Sequence, residues 1–520
     1  MPVFKLVITL LLVGAVLAAL ARRIRAPYPA LLALAGAALA LLPNLPEVRL
    51  DPELALTLLV APVLLDAAFD SSPRDLRHNW RVVTGLALVA VGLTVAVVAV
   101  VARWLVPGIP WPAAIALGAV VAPPDAAAAT AVLTQLRPPH RILVILQGES
   151  LFNDASALLI YRLAVAAAVT GSFAGWEAVP MLAAVALGSV VLGALAAQVS
   201  IYLTPRITDV PTAVIVQFLG TFAVWMLAEQ VHLSGILTVV VFAIFVARRA
   251  PDLISARLRI QSYAVWEVVV FMLNVLAFIL IGLQLKPILA RLSGAELTRY
   301  GAAAIAICAA VIVVRIVWVM SYTAVARWGG ARVSTAAAAV VAWCGMRGIV
   351  TLAAALALPE GGDGTFPYRD FILFTAFSVV LVTLVVQGMT VGPLMKLLAL
   401  RDDGAVEREV RLARAETARA ALAAMDGAIE GGAADHGEML GFLRRKYQVR
   451  LLRAEQGDQA LHPAEADGWR DFGSVQRRAY MEERRRLSDL RARGVIGDDA
   501  FHRVEEELDW AEVNAETRRQ

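Results

Sequence analysis

Cysteine and histidine are scarce in this chain, with two Cys and six His among 520 residues. Cys308 and Cys344 both lie in apolar runs, so neither a disulfide framework nor a zinc-ligand spacing can be assembled from them. There is no phosphate-cradling glycine loop, no HExxH and no nucleophile–base constellation. That argues against an enzyme and leaves no cofactor to expect. Charge is scarce too, but only over part of the chain. Residues 1–400 carry 26 Lys/Arg and 18 Asp/Glu, whereas residues 401–520 carry 21 and 25. The chain therefore reads as a membrane domain, 1–400, followed by a charged helical tail, 401–520. The basic isoelectric point, about 9.2, reflects loop arginines and does not mark a nucleic-acid surface.

What fills the uncharged part is apolar. The chain is 59% hydrophobic with a mean hydropathy of +0.70, far above a soluble domain. The apolar N-terminus reads as a first span, not as a removable signal. Runs long enough to cross roughly 30 Å of hydrocarbon fall at about 3–21, 27–43, 52–69, 82–102, 111–135, 142–170, 178–204, 211–230, 234–247, 263–285, 300–326, 333–358 and 371–399. That predicts an all-α membrane protein of about 13 spans. With the N-terminus outside, inner loops hold 15 Lys/Arg, including Arg22, Arg74, Arg141 and Arg248, and outer loops hold 7. Positive charge concentrates on the cytoplasmic side of membrane proteins, so the expected topology is N-out with a cytoplasmic tail.

Spans 5 and 12 are interrupted at mid-depth, by Pro123-Pro124-Asp125 and by Gly345-Met346-Arg347-Gly348. Broken helices are tolerated in a membrane only inside protein or beside water. Their offset of seven spans makes them run in opposite directions, which predicts two inverted repeats with the transport site at their interface.

Ionisable residues within spans are costly and usually functional. Here they are Asp66, Asp125, Glu149, Asp154, Arg162, Glu229, Glu267, Arg315 and Arg347. At 1.5 Å per residue, Asp154 lies ~18 Å into span 6, and Asp125 and Arg347 lie ~21 Å into theirs. Arg162, Glu229 and Arg315 read as nearer the span ends or on faces the sequence does not fix, able to snorkel or to form structural pairs. Ser150, Asn153 and Asp154 share one helix face and offer oxygen ligands that suit a hard monovalent cation. Unwound carbonyls of span 5, Asp125 and the Thr130 hydroxyl are further candidate ligands. One buried carboxylate holds a proton or a cation but not both, so competition at Asp154 predicts exchange. Glu149, five residues earlier, points elsewhere and needs a partner, and Arg347 is the expected one, in a structural ion pair. Asp66 and Asn274 are secondary candidates, as a funnel-lining carboxylate and an interhelical amide.

Six ordered segments carry a resemblance: APVLLDAAF at 61–69, APPDAAAAT at 122–130, QGESLFND at 147–154, HLSGILTVVV at 232–241, NVLAFILIGLQL at 274–285 and WCGMRGIVTLAAALALP at 343–359. On these the chain resembles the cation:proton antiporter 1 family, the sodium/proton exchangers, in its bacterial branch. The resemblance implies a homodimer in a bacterial inner membrane, with a fixed dimerisation domain and a six-helix core whose crossed broken helices carry the ion in an elevator motion. It also implies electroneutral exchange of one Na⁺ for one H⁺ at the Asn153–Asp154 pair, and a Glu149–Arg347 ion pair. The chain departs from many members at the first site, where Pro124 precedes Asp125 and Ala126 follows it, so position 124 supplies no side-chain ligand. K⁺ in place of Na⁺ is the nearest alternative reading, Li⁺ is a further possible substrate, and a cation channel is the alternative from a different class. A channel usually presents rings of ligands about a symmetry axis, whereas these carboxylates come from one chain. The tail, with charged helical stretches at 408–425 and 480–512 broken by Gly431-Gly432 and Pro463, reads as a regulatory or dimer-contact region.

Overall fold

A computed structural model describes residues 2–24, 26–42, 51–170, 175–207, 209–253, 256–330, 333–360, 366–430, 437–456 and 510. The chain divides into two compact units, Met1–Asp403 and Gly404–Gln520. Among the described residues all regular structure is helical.

In the first unit the main helices are α1 (Pro2–Ile24), α2 (Tyr28–Ala40), α3 (Ala61–Phe69), α4 (Pro73–Thr84), α5 (Val91–Leu105), α6 (Trp111–Val121), α7 (Ala126–Leu136), α8 (His140–Thr170), α9 (Gly175–Leu203), α10 (Val210–Gln230), α11 (Gly235–Leu253), α12 (Ala256–Leu283), α13 (Gly294–Trp328), α14 (Thr335–Trp343), α15 (Ile349–Leu356), α16 (Arg369–Val382) and α17 (Gly388–Leu397). Short π-helical turns at Ala55–Val60, Gly85–Ala90 and Thr383–Gln387 lead into α3, α5 and α17. Side chains start several helices. Ser72, Asp125, Asp209, Ser293 and Ser334 each accept a hydrogen bond from the first turn of the helix that follows, which satisfies donors the helix itself leaves open. At Asp209, outside the spans, the hydrogen bonds from the Thr212 side chain and backbone hold the carboxyl below the ordinary aspartate range.

Nine helical runs among the described residues are long and apolar enough to cross a membrane. The shorter apolar helix α2 adds to these, and so do the two interrupted stretches, α14–α15 and α6–α7, the latter containing the short apolar helix α6. A helix satisfies its own backbone, which is why apolar composition resolves here into helices.

Packing sorts the helices into two groups. One comprises α1, α2, α3, α9, α10, α11 and α12, with α2 against α12 and α9 against α11 as its tightest seams. The α2–α12 seam closes at glycines: a Cβ on Gly282 would lie 2.7 Å from the Gly36 carbonyl carbon, so the backbones touch because neither residue has a side chain. The other group comprises α4 to α8 and α13 to α17, with α8 packed against α4, α6, α7 and α14. Its apolar core includes Val98, Ile109, Leu117, Ile307 and Phe371.

In the second unit α18 (Ala405–Glu430) packs against α19 (Gly437–Gln456). Ala415, Ala418 and Ala454 are buried, and Arg444–Asp426 (3.3 Å) and Arg419–Glu455 join the two helices. The expected stretch at 408–425 lies within α18. The breaks at Gly431-Gly432 and Pro463, and the stretch at 480–512 apart from residue 510, lie outside the described residues.

Candidate functional site

The two interrupted stretches meet. Between α6 and α7 the chain is non-helical over 122–125, and between α14 and α15 over 344–348. The Asp125 backbone N–H donates to the Met346 carbonyl at 2.7 Å. Asp125 also caps α7: its Oδ1 accepts from the Ala127 N–H at 2.8 Å. The second break is pinned from α16, where the Arg347 N–H donates to the Thr383 hydroxyl at 3.0 Å. That threonine opens the π-helical turn Thr383–Gln387, a local widening often found beside functional sites.

Helix α8 passes this meeting point. The Asn153 side-chain amide donates to the Pro124 carbonyl at 3.1 Å, one of the unwound carbonyls of the first break. This fixes the amide so that Asn153 Oδ1 is buried without a hydrogen-bond partner among the described residues. Asp154 is 5% exposed. Among the described residues no hydrogen bond or ion pair reaches its carboxylate, although Asp125, Arg347 and Glu149 act on it through their charges. Ser150, on the same face of α8, is buried as well. A bare carboxylate is expensive to bury, and one beside an unpartnered amide oxygen suits a proton or a hard cation.

Glu149 is served differently, and here the sequence expectation is corrected. Its partner is Arg315 on α13, not Arg347. Both carboxylate oxygens accept from the guanidinium, Oε2 at 2.8 Å from Nη2. The same Arg315 Nη2 donates to the carbonyls of Val341 and Cys344 at 3.1 and 3.4 Å, covering the open C-terminal end of α14. Arg315 therefore lies deep in the protein, not near a span end. Depth alone would have found it, since it lies ~22 Å from the start of its apolar run at 1.5 Å per residue. Arg347 is the bulkiest of the fully buried side chains. Among the described residues its Nε and Nη1 have no hydrogen-bond partner, and it feels the charges of Arg315, Glu149 and Asp154.

The remaining expected residues lie at or beyond the edge of this arrangement. Thr130 is half-buried one turn into α7, and among the described residues no hydrogen bond joins its hydroxyl to the site. Asp66 is half-buried on α3 and feels Asp70 and Glu267, a separate acidic neighbourhood. Asn274 is half-buried on α12 with no hydrogen bond of its side chain among the described residues. Between α8 and α10, Arg162 Nη2 donates to both carboxylate oxygens of Glu229 at 3.0 Å. Among the described residues no group of three His, Cys, Asp or Glu side chains is placed to hold a resident metal.

Known proteins resemble this chain in sequence and in fold. A protein of Mycobacterium tuberculosis H37Rv named as an uncharacterized Na⁺/H⁺ exchanger is 32% identical over 98% of this chain and 96% of its own length. A protein of Bacillus pumilus named a sodium, potassium, lithium and rubidium/H⁺ antiporter is 30% identical over 83% of this chain and 66% of its own. The solved sodium proton antiporter MjNhaP1 of Methanocaldococcus jannaschii shares the fold, with a TM-score of 0.62 at 18% identity over 76% of this chain and 100% of that one. The model of the transmembrane sodium/hydrogen exchanger family matches residues 7–397, nearly the whole first unit with both breaks and α8, and this chain is a multi-pass membrane protein of that antiporter family.

Proposed function

We propose that the chain exchanges Na⁺ for H⁺, one for one, across a bacterial inner membrane, and that Asp154 takes the two ions in turn. One observation carries this reading: of two carboxylates five residues apart on α8, Glu149 is neutralised by Arg315, whereas Asp154 has no hydrogen-bond or ion-pair partner among the described residues. A site that must be filled, and that accepts a proton or a metal ion, couples the two fluxes if the empty charged form does not reorient. Asn153 Oδ1 and the Ser150 hydroxyl would complete the oxygen shell, with Asp125 fixing the first break. In this reading thirteen spans form two inverted repeats, N-out, with a cytoplasmic tail. The group containing α8 moves as an elevator against the group containing the α2–α12 seam, in a homodimer.

The Bacillus pumilus relative is named for transport of potassium, lithium and rubidium as well as sodium. That supports K⁺/H⁺ exchange as a second reading of the same site. The test is cation-driven proton flux in proteoliposomes with Na⁺, K⁺ and Li⁺ gradients. Competition requires the apparent KM for the cation to rise as pH falls, because protons then occupy the carboxylate. A KM independent of pH between about 6 and 9 would exclude competition, and large single-channel currents would replace the antiporter with a channel.

A further inference from the structure

Gly348 closes the second break as the residue before α15, and its backbone dihedrals are φ −135° and ψ −153°. That is extended backbone which any residue adopts, so conformation does not require glycine there. Space does. A Cβ built on Gly348 would overlap the Asp125 carboxylate: Oδ2 and Cγ collide with it, and the Asp125 Cβ is only 2.8 Å away. The missing side chain is the room the carboxylate occupies.

The consequence is electrostatic. Asp125 Oδ1 accepts from the first turn of α7, while Oδ2 rests on the residue that opens α15. Helix N-termini carry partial positive charge, so one carboxylate sits where the N-termini of both interrupted helices converge. The Asp125 N–H bond to the Met346 carbonyl, 2.7 Å, holds it there from the backbone side.

The placement also reaches the ion site. Pro124, next to Asp125, accepts from the Asn153 amide at 3.1 Å, and Asn153 precedes Asp154 in α8. The Asp125 charge acts on Asp154 as well. Anything that pushes Asp125 out of the crossing therefore disturbs both the amide beside the ion and the field on the carboxylate that takes it.

We infer that Gly348 is a positioning residue: the space it leaves lets the Asp125 carboxylate bridge the two interrupted helices, and through Asp125 and Asn153 it sets the apparent cation affinity at Asp154. The affinity consequence rests on the exchange reading above; the steric coupling of residues 348 and 125 does not.

The experiment is a double-mutant cycle read by melting of the detergent-purified full chain and by Na⁺-driven proton flux in proteoliposomes, with K⁺ in parallel. Gly348→Ala is expected to lower the melting temperature and raise the apparent KM for Na⁺ about ten-fold, a difference of about 1.4 kcal/mol in binding, with maximal flux changed less than about two-fold. In an Asp125→Gly background all three clashing atoms, the Cβ included, are gone, so adding Gly348→Ala should change melting little and KM by less than about two-fold. Asp125→Asn keeps the bulk of the side chain, so Gly348→Ala should remain damaging there. If Gly348→Ala alone does not assemble, the double variant with Asp125→Gly should. Failure of that double variant to assemble, or effects of the two substitutions that multiply, would overturn the inference. A fall in maximal flux at unchanged KM would remove its affinity arm. If the unmodified protein shows no cation-driven flux, the exchange reading fails, and the melting cycle still decides the coupling.

Discussion

Glu149 and Asp154 belong to one helix, five residues apart and both buried, and the protein treats them in opposite ways. Five residues turn the side chain by about 140°. Glu149 faces α13 and receives both arms of Arg315, which also covers the carbonyls of α14. Asp154 faces the meeting point of the breaks and receives nothing from the described residues. The first charge is part of the scaffold that holds a helix end; the second, in the exchange we propose, is the one an ion completes. Burial therefore does not separate structure from function here, but compensation does. Removing the compensation from one and the charge from the other should have contrasting effects.

The largest effect on transport is expected from Asp154→Asn. It keeps shape and removes the competing charge, so cation-driven proton flux should fall at least about a hundred-fold, while melting stays unchanged or rises because an uncompensated buried charge is gone. Robust flux from a well-expressed variant would place the exchange elsewhere. The largest effect on stability is expected from Arg315→Ala, which strands the Glu149 carboxylate and the α14 carbonyls together. Breaking one side of a buried pair costs roughly 3–5 kcal/mol. Adding Glu149→Gln should return part of the loss, measured as recovered melting temperature. Arg347→Ala should destabilise less than Arg315→Ala, since Nε and Nη1 of Arg347 have no hydrogen bonds to lose. The reverse order of melting temperatures would restore Arg347 as the structural partner of Glu149.

How much of this was legible in the sequence follows from the physics of each signal. The breaks were visible because Pro123-Pro124 and Gly345 to Gly348 interrupt apolar runs that otherwise favour unbroken helix. Asp154 was visible because depth follows from counting residues along a span. The partner of Glu149 was not, since pairing depends on which helix stands opposite and how each is rotated. Helices that are largely apolar all round carry no polar face from which to read that rotation. Arg315 is 166 residues from Glu149; the sequence points to Arg347 as the partner and does not fix which face of its span Arg315 occupies. Gly348 was seen as a helix breaker, whereas its role in space depends on what stands in front of it. The Thr383–Gln387 turn left no signature, because a π-helical turn differs from α-helix by one extra residue in an otherwise ordinary apolar stretch.

The smallest effect sharpens the same contrast at the edge of the group containing α8. Arg162 and Glu229 also pair closely, with one nitrogen, Nη2, 3.0 Å from both carboxylate oxygens, but their side chains are 47% and 42% exposed. A charge that keeps solvent or lipid headgroups near it gives up little on losing its partner, and exposed pairs contribute about 0.2–1 kcal/mol. Arg162→Gln and Glu229→Gln should each shift stability by less than about 1 kcal/mol, and the double variant should couple by about 0.5 kcal/mol. The pair links α8 to α10, hence the two helix groups, so it is also where a weak bond would let the groups move apart. A coupling comparable to that of Arg315 with Glu149 would mean that this contact is shielded in the membrane. It would then belong with the fixed scaffold and not with the moving seam.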